Sequence, residues 1–228
     1  MLQGYLPSLL EGAALTLAVA LASLALALVL GLAGAALKLS GSTFGRRAAT
    51  VYTTVIRGVP DLVLMLLIFF GGQIAVNALA QRLGIDYVDI DPFIAGVATL
   101  GFIFGAYFTE TFRGAILAIP PGQIEAGRAF GMSAWTLFRR ITAPQMLRFA
   151  IPSFTNNWLV LVKSTALVSL IGLNDMLHKA DQAAGATRQP FTFYLAVALL
   201  YLAITSVSVL ALRALERRVS RGVKVAAL

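Results

Sequence analysis

Five stretches of this chain are each long and apolar enough to cross a bilayer, at about residues 13–37, 55–79, 93–112, 150–173 and 191–212. A hydrocarbon core is spanned by roughly 20 residues of helix, and every stretch reaches that length. Backbone groups in lipid are satisfied only within helices or closed barrels. The stretches run continuously apolar, without the in-out alternation of barrel strands. Composition agrees: 59% of residues are hydrophobic and 12% charged, where soluble domains carry about 25% charge. The expected fold is all-α and transmembrane, a single domain over residues 1–228 without repeats. The first stretch is too long for the core of a signal peptide and follows Glu11 rather than a basic run, so it is expected to remain as a span.

The formal net charge is +8, and its distribution says what the charge is for. Lys38, Arg46, Arg47 and Arg57 cluster after the first stretch, and Arg113, Arg128, Arg139, Arg140 and Arg148 after the third. Arg213, Arg217, Arg218, Arg221 and Lys224 follow the fifth. The alternate connections hold Asp86, Asp89, Asp91, Asp175 and Asp181 with few basic residues. By the positive-inside rule the N-terminus is outside and the C-terminus cytoplasmic. The basic excess is thus a topology signal, and no nucleic-acid partner is expected.

Catalytic chemistry finds little to work with. The chain has no cysteine and one histidine, His178, so neither a thiolate nor a histidine metal site is expected. Residues 41–47, "GSTFGRR", have neither the spacing nor the Lys-Ser/Thr end of a phosphate-binding loop. The chain is not expected to hydrolyse ATP, and no catalytic residue is assigned.

Ionisable groups in the apolar stretches are the stronger lead, because each is costly in lipid unless paired or hydrated. Arg57 and Asp61 are four apart, and Glu110 and Arg113 three apart, so each pair can share a helix face. Asn156, Asn157 and Lys163 follow one another along the fourth stretch. Arg57 and Arg113 read as structural charges. Asp61, Glu110, Asn156, Asn157 and Lys163 are candidates for a polar solute path, with mutual pinning of helices as the alternative. Gly31 and Gly34 suit close helix packing, and Trp158 and Tyr201 suit packing or interfacial positions. Pro60 and Pro152 mark bends near helix starts. The connection 82–92, "RLGIDYVDIDP", reads as a solvated turn ending at an Asp-Pro break or as a docking surface.

The connection 123–145, "QIEAGRAFGMSAWTLFRRITAPQ", is far longer than a turn needs to be. Gly131 ends one short helix and Ser133 caps a second, while Pro144 is expected to stop the run before the fourth span. Ile124, Phe130, Met132, Trp135, Phe138 and Ile141 leave apolar positions on both pieces. The insert either lies in the headgroups or docks a protein.

The spacing of Glu125-Ala126, Gly131, Ile141 and Pro144 resembles the EAA loop of bacterial ABC importer permeases. Residues 57–71, "RGVPDLVLMLLIFFG", 105–127, "GAYFTETFRGAILAIPPGQIEAG", and 156–167, "NNWLVLVKSTAL", resemble signatures of the polar amino-acid permeases. Within that family the chain is most similar to the Q-type subunits of histidine/lysine/arginine/ornithine importers. Gly127 departs from the usual second alanine, Ala143 from the usual leucine, and Asp61 and Leu64 from the usual apolar residue and glutamine.

The resemblance implies a five-helix type I importer permease in a bacterial inner membrane. It implies a homologous M-type permease partner, two P-loop ATPase subunits that bind the ATP and magnesium, and a periplasmic amino-acid-binding protein. Alternating access would import cationic amino acids. Glu125, Ala126, Arg128, Phe130, Gly131, Met132, Ile141 and Pro144 would couple it to the ATPase. A membrane scaffold or receptor that moves no solute is the competing class.

Overall fold

The computed structural model describes residues 4–219, and its regular elements are helices. Helix α1, Leu6–Leu39, has 34 residues, so at ~1.5 Å per residue it overshoots the hydrocarbon core at both ends. Most of its buried residues are small, and beyond Leu9 and Val19 they form a stripe recurring every three or four positions: Thr16, Ala20, Ser23, Ala27, Gly31 and Gly34 with Ala35. That stripe packs on α4, Pro92–Leu117. A Cβ added at Gly31 would stand 2.6 Å from Phe108 Cβ and 3.0 Å from its carbonyl carbon, and one at Gly34 would press on Thr109. The bulk at this contact belongs to α4, where Leu100, Ile103, Phe104 and Phe108 are fully buried against Leu161, Val162 and Met65. Gly31→Ala is therefore expected to cost about 1–3 kcal/mol, as overpacking does. Thermal unfolding of the purified complex measures it, and an unchanged midpoint would show that the α1–α4 contact is looser than described.

The second span begins later than residue 55. Residues 43–58 form a separate helix, α2 (Thr43–Gly58), capped by Ser42, whose side chain accepts from Gly45 N at 3.2 Å. Proline disfavours helical geometry in the residue before it; Val59 is extended (φ −114°, ψ 139°) and Pro60 leads directly into α3, Asp61–Arg82. Arg57 and Asp61 consequently stand on different helices, and no ion pair joins them among the described residues. Helix α2 turns Gly45, Ala49, Thr53 and Ile56 inward and ties to α4 through the Tyr52 hydroxyl, which donates to Phe102 O at 2.5 Å.

Helix α3 ends at Leu83 with Gly84 in the left-handed region (φ 70°). The chain then returns along α3, with residues 82–89 exposed as a solvated turn would be. Asn77 Nδ2 donates to Val88 O at 2.8 Å and Asn77 Oδ1 accepts from Val88 N at 2.8 Å. Gln73 Oε1 accepts from Ile90 N at 3.1 Å. Two side-chain amides thus stand in for a neighbouring strand. Asp91 caps α4, accepting from Ile94 N at 3.0 Å, with Pro92 at the first helical position, as the Asp-Pro break predicts.

After α4 come α5, Pro121–Ala129, and α6, Ala134–Leu137. Contrary to expectation, Pro144 does not stop the run. A wider π turn over Phe138–Thr142 carries α6 into α7, Ala143–Ser164, without a break. The wider turn takes up the missing N–H and the ring's clash with the preceding carbonyl. Pro152 likewise sits inside α7 rather than at a start. The helical path continues as a 3₁₀ segment, Thr165–Ile171, and ends at Gly172 (φ 91°).

The next connection is mostly helix: α8, Met176–Thr187, capped by Asp175, which accepts from His178 N at 2.9 Å. Asp175 is 1% exposed; burial pushes its carboxyl upward, opposed by the amides of His178 and Leu177. Helix α8 packs in a second, smaller core, with Leu9 and Ala13 of α1 and Phe193 and Val197 of α9, Pro190–Val219. Trp158 and Tyr201 pack into the apolar interior, as expected. Of the basic tail, Arg221 and Lys224 lie outside the described residues. Among the described residues, five helical stretches are long and apolar enough to span a membrane: Leu6–Leu39, Asp61–Arg82, Pro92–Leu117, Ala134–Ile171 and Pro190–Val219.

Candidate functional site

Two regions carry chemistry. The first is an open hollow of about 480 Å³ where the end of α2 meets α4 and α7, lined by Arg57, Tyr107, Glu110, Thr111, Asn156 and Asn157. The Arg57 guanidinium lies over the Tyr107 ring, 5.6 Å from its centroid, a distance at which cation and ring attract. Asp61, at the start of α3, lies near Tyr107. Asn157 Nδ2 donates to Thr111 Oγ1 at 2.9 Å, pinning α7 to α4, whereas Asn156 is exposed beside it.

Glu110 is fully engaged. Its Oε2 accepts from Arg113 Nε at 2.9 Å, the pairing that their spacing predicts. Its Oε1 is bound by Lys38 Nζ from the end of α1, and Lys38 also donates to Thr53 Oγ1 of α2 at 2.6 Å. Three helices therefore converge on one carboxylate. Lys38 entered the sequence reading only as a loop charge; its separation of 72 residues from Glu110 gives no local signal. Glu110 is matched by two cations, whereas Asp61, near Tyr107, makes no ion pair among the described residues. Lys163 does not join the hollow. It faces a different cavity, between α7 and α9.

The second region is the insert. Helix α5 closes with paired reverse-turn bonds, Gly131 N to Arg128 O at 2.9 Å and Met132 N to Gly127 O at 3.1 Å. They require a left-handed residue between them, and Gly131 has φ 71°. Ser133 then caps α6, accepting from Thr136 N at 3.3 Å, as expected. The apolar residues divide between two tasks. Met132, Leu137 and Ile141 gather over buried Gly127, where a Cβ would press on Leu137 and meet Ile141 Cδ1 at 3.0 Å. Phe130 and Trp135 point outward, 85% and 68% exposed, with Trp135 stacked on Phe138 at 5.9 Å between centroids. Glu125, Ala126, Arg128 and Pro144 are exposed as well. Gly127 thus lets α5 lie close on the following helix, so its departure from alanine has a packing reason.

Residues 27–221 match the family of binding-protein-dependent transport system inner membrane components. The chain belongs to this family. As an inner membrane component it is a multi-pass permease, in agreement with its five apolar helices. It is similar to the histidine/lysine/arginine/ornithine transport system permease protein HisQ of Salmonella typhimurium, with 55% identity over 98% of both chains. The octopine transport system permease protein OccQ of Rhizobium radiobacter is 43% identical, covering 95% of this chain and 92% of the relative. Among solved structures, a chain from a crystal structure of an amino acid ABC transporter with histidines superposes with a TM-score of 0.80 at 32% identity, over 94% of this permease and 95% of that chain. An inward-facing MetNI methionine ABC transporter chain shares the fold, with a TM-score of 0.76 at 20% identity over 95% and 98% of the two chains. The type I importer permease fold is the architecture that the resemblance implies.

Proposed function

We propose that this permease is the membrane-spanning subunit of an ATP-driven importer of cationic amino acids: histidine, lysine, arginine and ornithine. Full-length similarity to a HisQ permease at 55% identity carries the proposal. Its partners are a homologous M-type permease, two P-loop ATPase subunits holding ATP and magnesium, and a periplasmic binding protein. The N-terminus is periplasmic and the C-terminus cytoplasmic, following the basic clusters.

Energy enters through the insert. Glu125, Ala126, Arg128, Phe130 and Gly131 present the docking face, with Trp135 added by its exposure. Met132 and Ile141 hold the two pieces together, and Pro144 stands where the insert joins α7. ATPase closure displaces α5 and α6; because α6 runs unbroken into α7, the displacement reaches the spans directly. The solute passes Asp61 and Asn156, with Asn157, Glu110, Arg57 and Arg113 holding the walls.

The test is ATP-dependent uptake by proteoliposomes containing all the subunits. Asp61→Asn is expected to raise the half-saturating concentration for lysine or arginine about tenfold, the loss of one charge contact, while ATPase activity falls less than twofold. Equal losses in both would make Asp61 structural, and uptake without ATP would overturn the importer reading.

A further inference from the structure

Lys163 lies about two turns along α7 from Asn156 and the solute hollow, and lines a separate open cavity of about 470 Å³ between α7 and α9, shared with Arg213, Thr205 and Ser206. Its depth follows from two contacts along these antiparallel helices. Arg148 Nε donates to Val219 O at 3.3 Å near one end, and the Thr165 and Tyr201 hydroxyls meet at 3.4 Å near the other. Lys163, two residues from Thr165, is therefore level with the middle of the 30-residue α9, and Arg213 is about two turns nearer the cytoplasmic end. Lys163 and Arg213 are exposed on this chain and make no ion pair among the described residues.

A cation on an outward face at mid-membrane demands a compensating anion, whereas Arg213, just past the fifth apolar stretch, can reach the cytoplasmic headgroups. A lipid phosphate lies at the headgroups, half a core thickness from Lys163. A transported solute is present only during turnover, whereas the Lys163 charge is permanent. Helix α9 leaves most of its surface outside its own chain's interior, with 6% of its apolar window buried. Resting on the importer reading, we infer that the Lys163–Arg213 face is covered by the second transmembrane subunit, which presents a carboxylate to Lys163 near mid-membrane. Thr205 and Ser206 flank the meeting point, and Leu159 and Val209 supply the apolar contact around it.

The chain has no native cysteine, so Ser206→Cys places a single nitroxide label on this face of the complete complex. The label is expected to be shielded from both dissolved oxygen and a water-soluble nickel chelate. Oxygen contact would place the face in lipid and nickel contact on the water-filled path, and either overturns the inference. Lys163→Met is expected to weaken retention of the second permease subunit in detergent about thirtyfold, as loss of one member of a buried charge pair does, with Lys163→Arg retaining it. Full retention with Lys163→Met overturns the inference whatever happens to uptake. If the wild-type complex lacks ATP-driven uptake, the importer reading itself fails; an exposed label on an active complex removes only the proposed interface.

Discussion

Glu110→Ala is expected to destabilise the subunit by about 3–5 kcal/mol, the cost of removing one partner from a buried charge network. The side chains of Lys38 and Glu110 are 10% and 18% exposed, so the lysine left behind has little water to turn to. It would keep only its bond to Thr53, and the α1, α2 and α4 ends would lose their common anchor. Replacing both charges, Lys38→Met with Glu110→Leu, is expected to recover most of the loss, since a well-packed apolar pair avoids the desolvation that the ions incur. A double-mutant cycle on the thermal unfolding of the purified complex measures the coupling. If the single change costs less than about 1 kcal/mol, the carboxylate does not anchor the three helices, and contact with the solute becomes its role. Arg113→Gln is the internal control: its side chain is 37% exposed, so water substitutes for the lost carboxylate and the cost is smaller.

What the sequence made legible follows from the range over which each interaction acts. Helix existence, the Asp91-Pro92 start, the Gly131 turn and the Ser133 cap are decided by residues within a few positions of one another, and each is where the local pattern puts it. The Val59–Pro60 break is local too, and the sequence carries its signal: Arg57, Pro60 and Asp61 interrupt the apolar run that starts at Val55, where α2 ends and α3 begins. Pro144, by contrast, misled. Proline breaks an α turn, and here the neighbouring residues open into a π turn that accommodates it. Lys38 with Glu110, and Gln73 and Asn77 with Val88 and Ile90, depend on how separate elements meet. Polar residues near the end of a span nevertheless have to find partners, and that signal could have flagged Gln73 and Asn77. Helix periodicity places Asn156 and Lys163 on the same face of α7, seven residues or about two turns apart, and only the contact with α9 shows that Lys163 opens onto a separate cavity.

Phe130→Ala combined with Trp135→Ala is expected to abolish most ATP-driven uptake while leaving the subunit folded. The two side chains are the most exposed aromatics of the insert, and truncating them removes little from the permease interior. Exposed aromatics that enter a partner's groove behave as hot spots of roughly 2 kcal/mol or more each, so retention of the ATPase should fall at least about thirtyfold. Met132→Ala makes the contrast. Its sulfur would lie 3.5 Å from a Cβ at Gly127, so truncation loosens α5 from α6 and lowers thermal stability as well as uptake. The rival placement of the insert, flat in the headgroups with Arg139 and Arg140 near anionic lipid, predicts a different pair of results: full ATPase retention by the double variant, and uptake that recovers when the vesicles are enriched in anionic lipid. Pull-down of the ATPase subunits and uptake in vesicles of two compositions separate the two placements, because the aromatic face cannot be buried in lipid and in a protein groove at once.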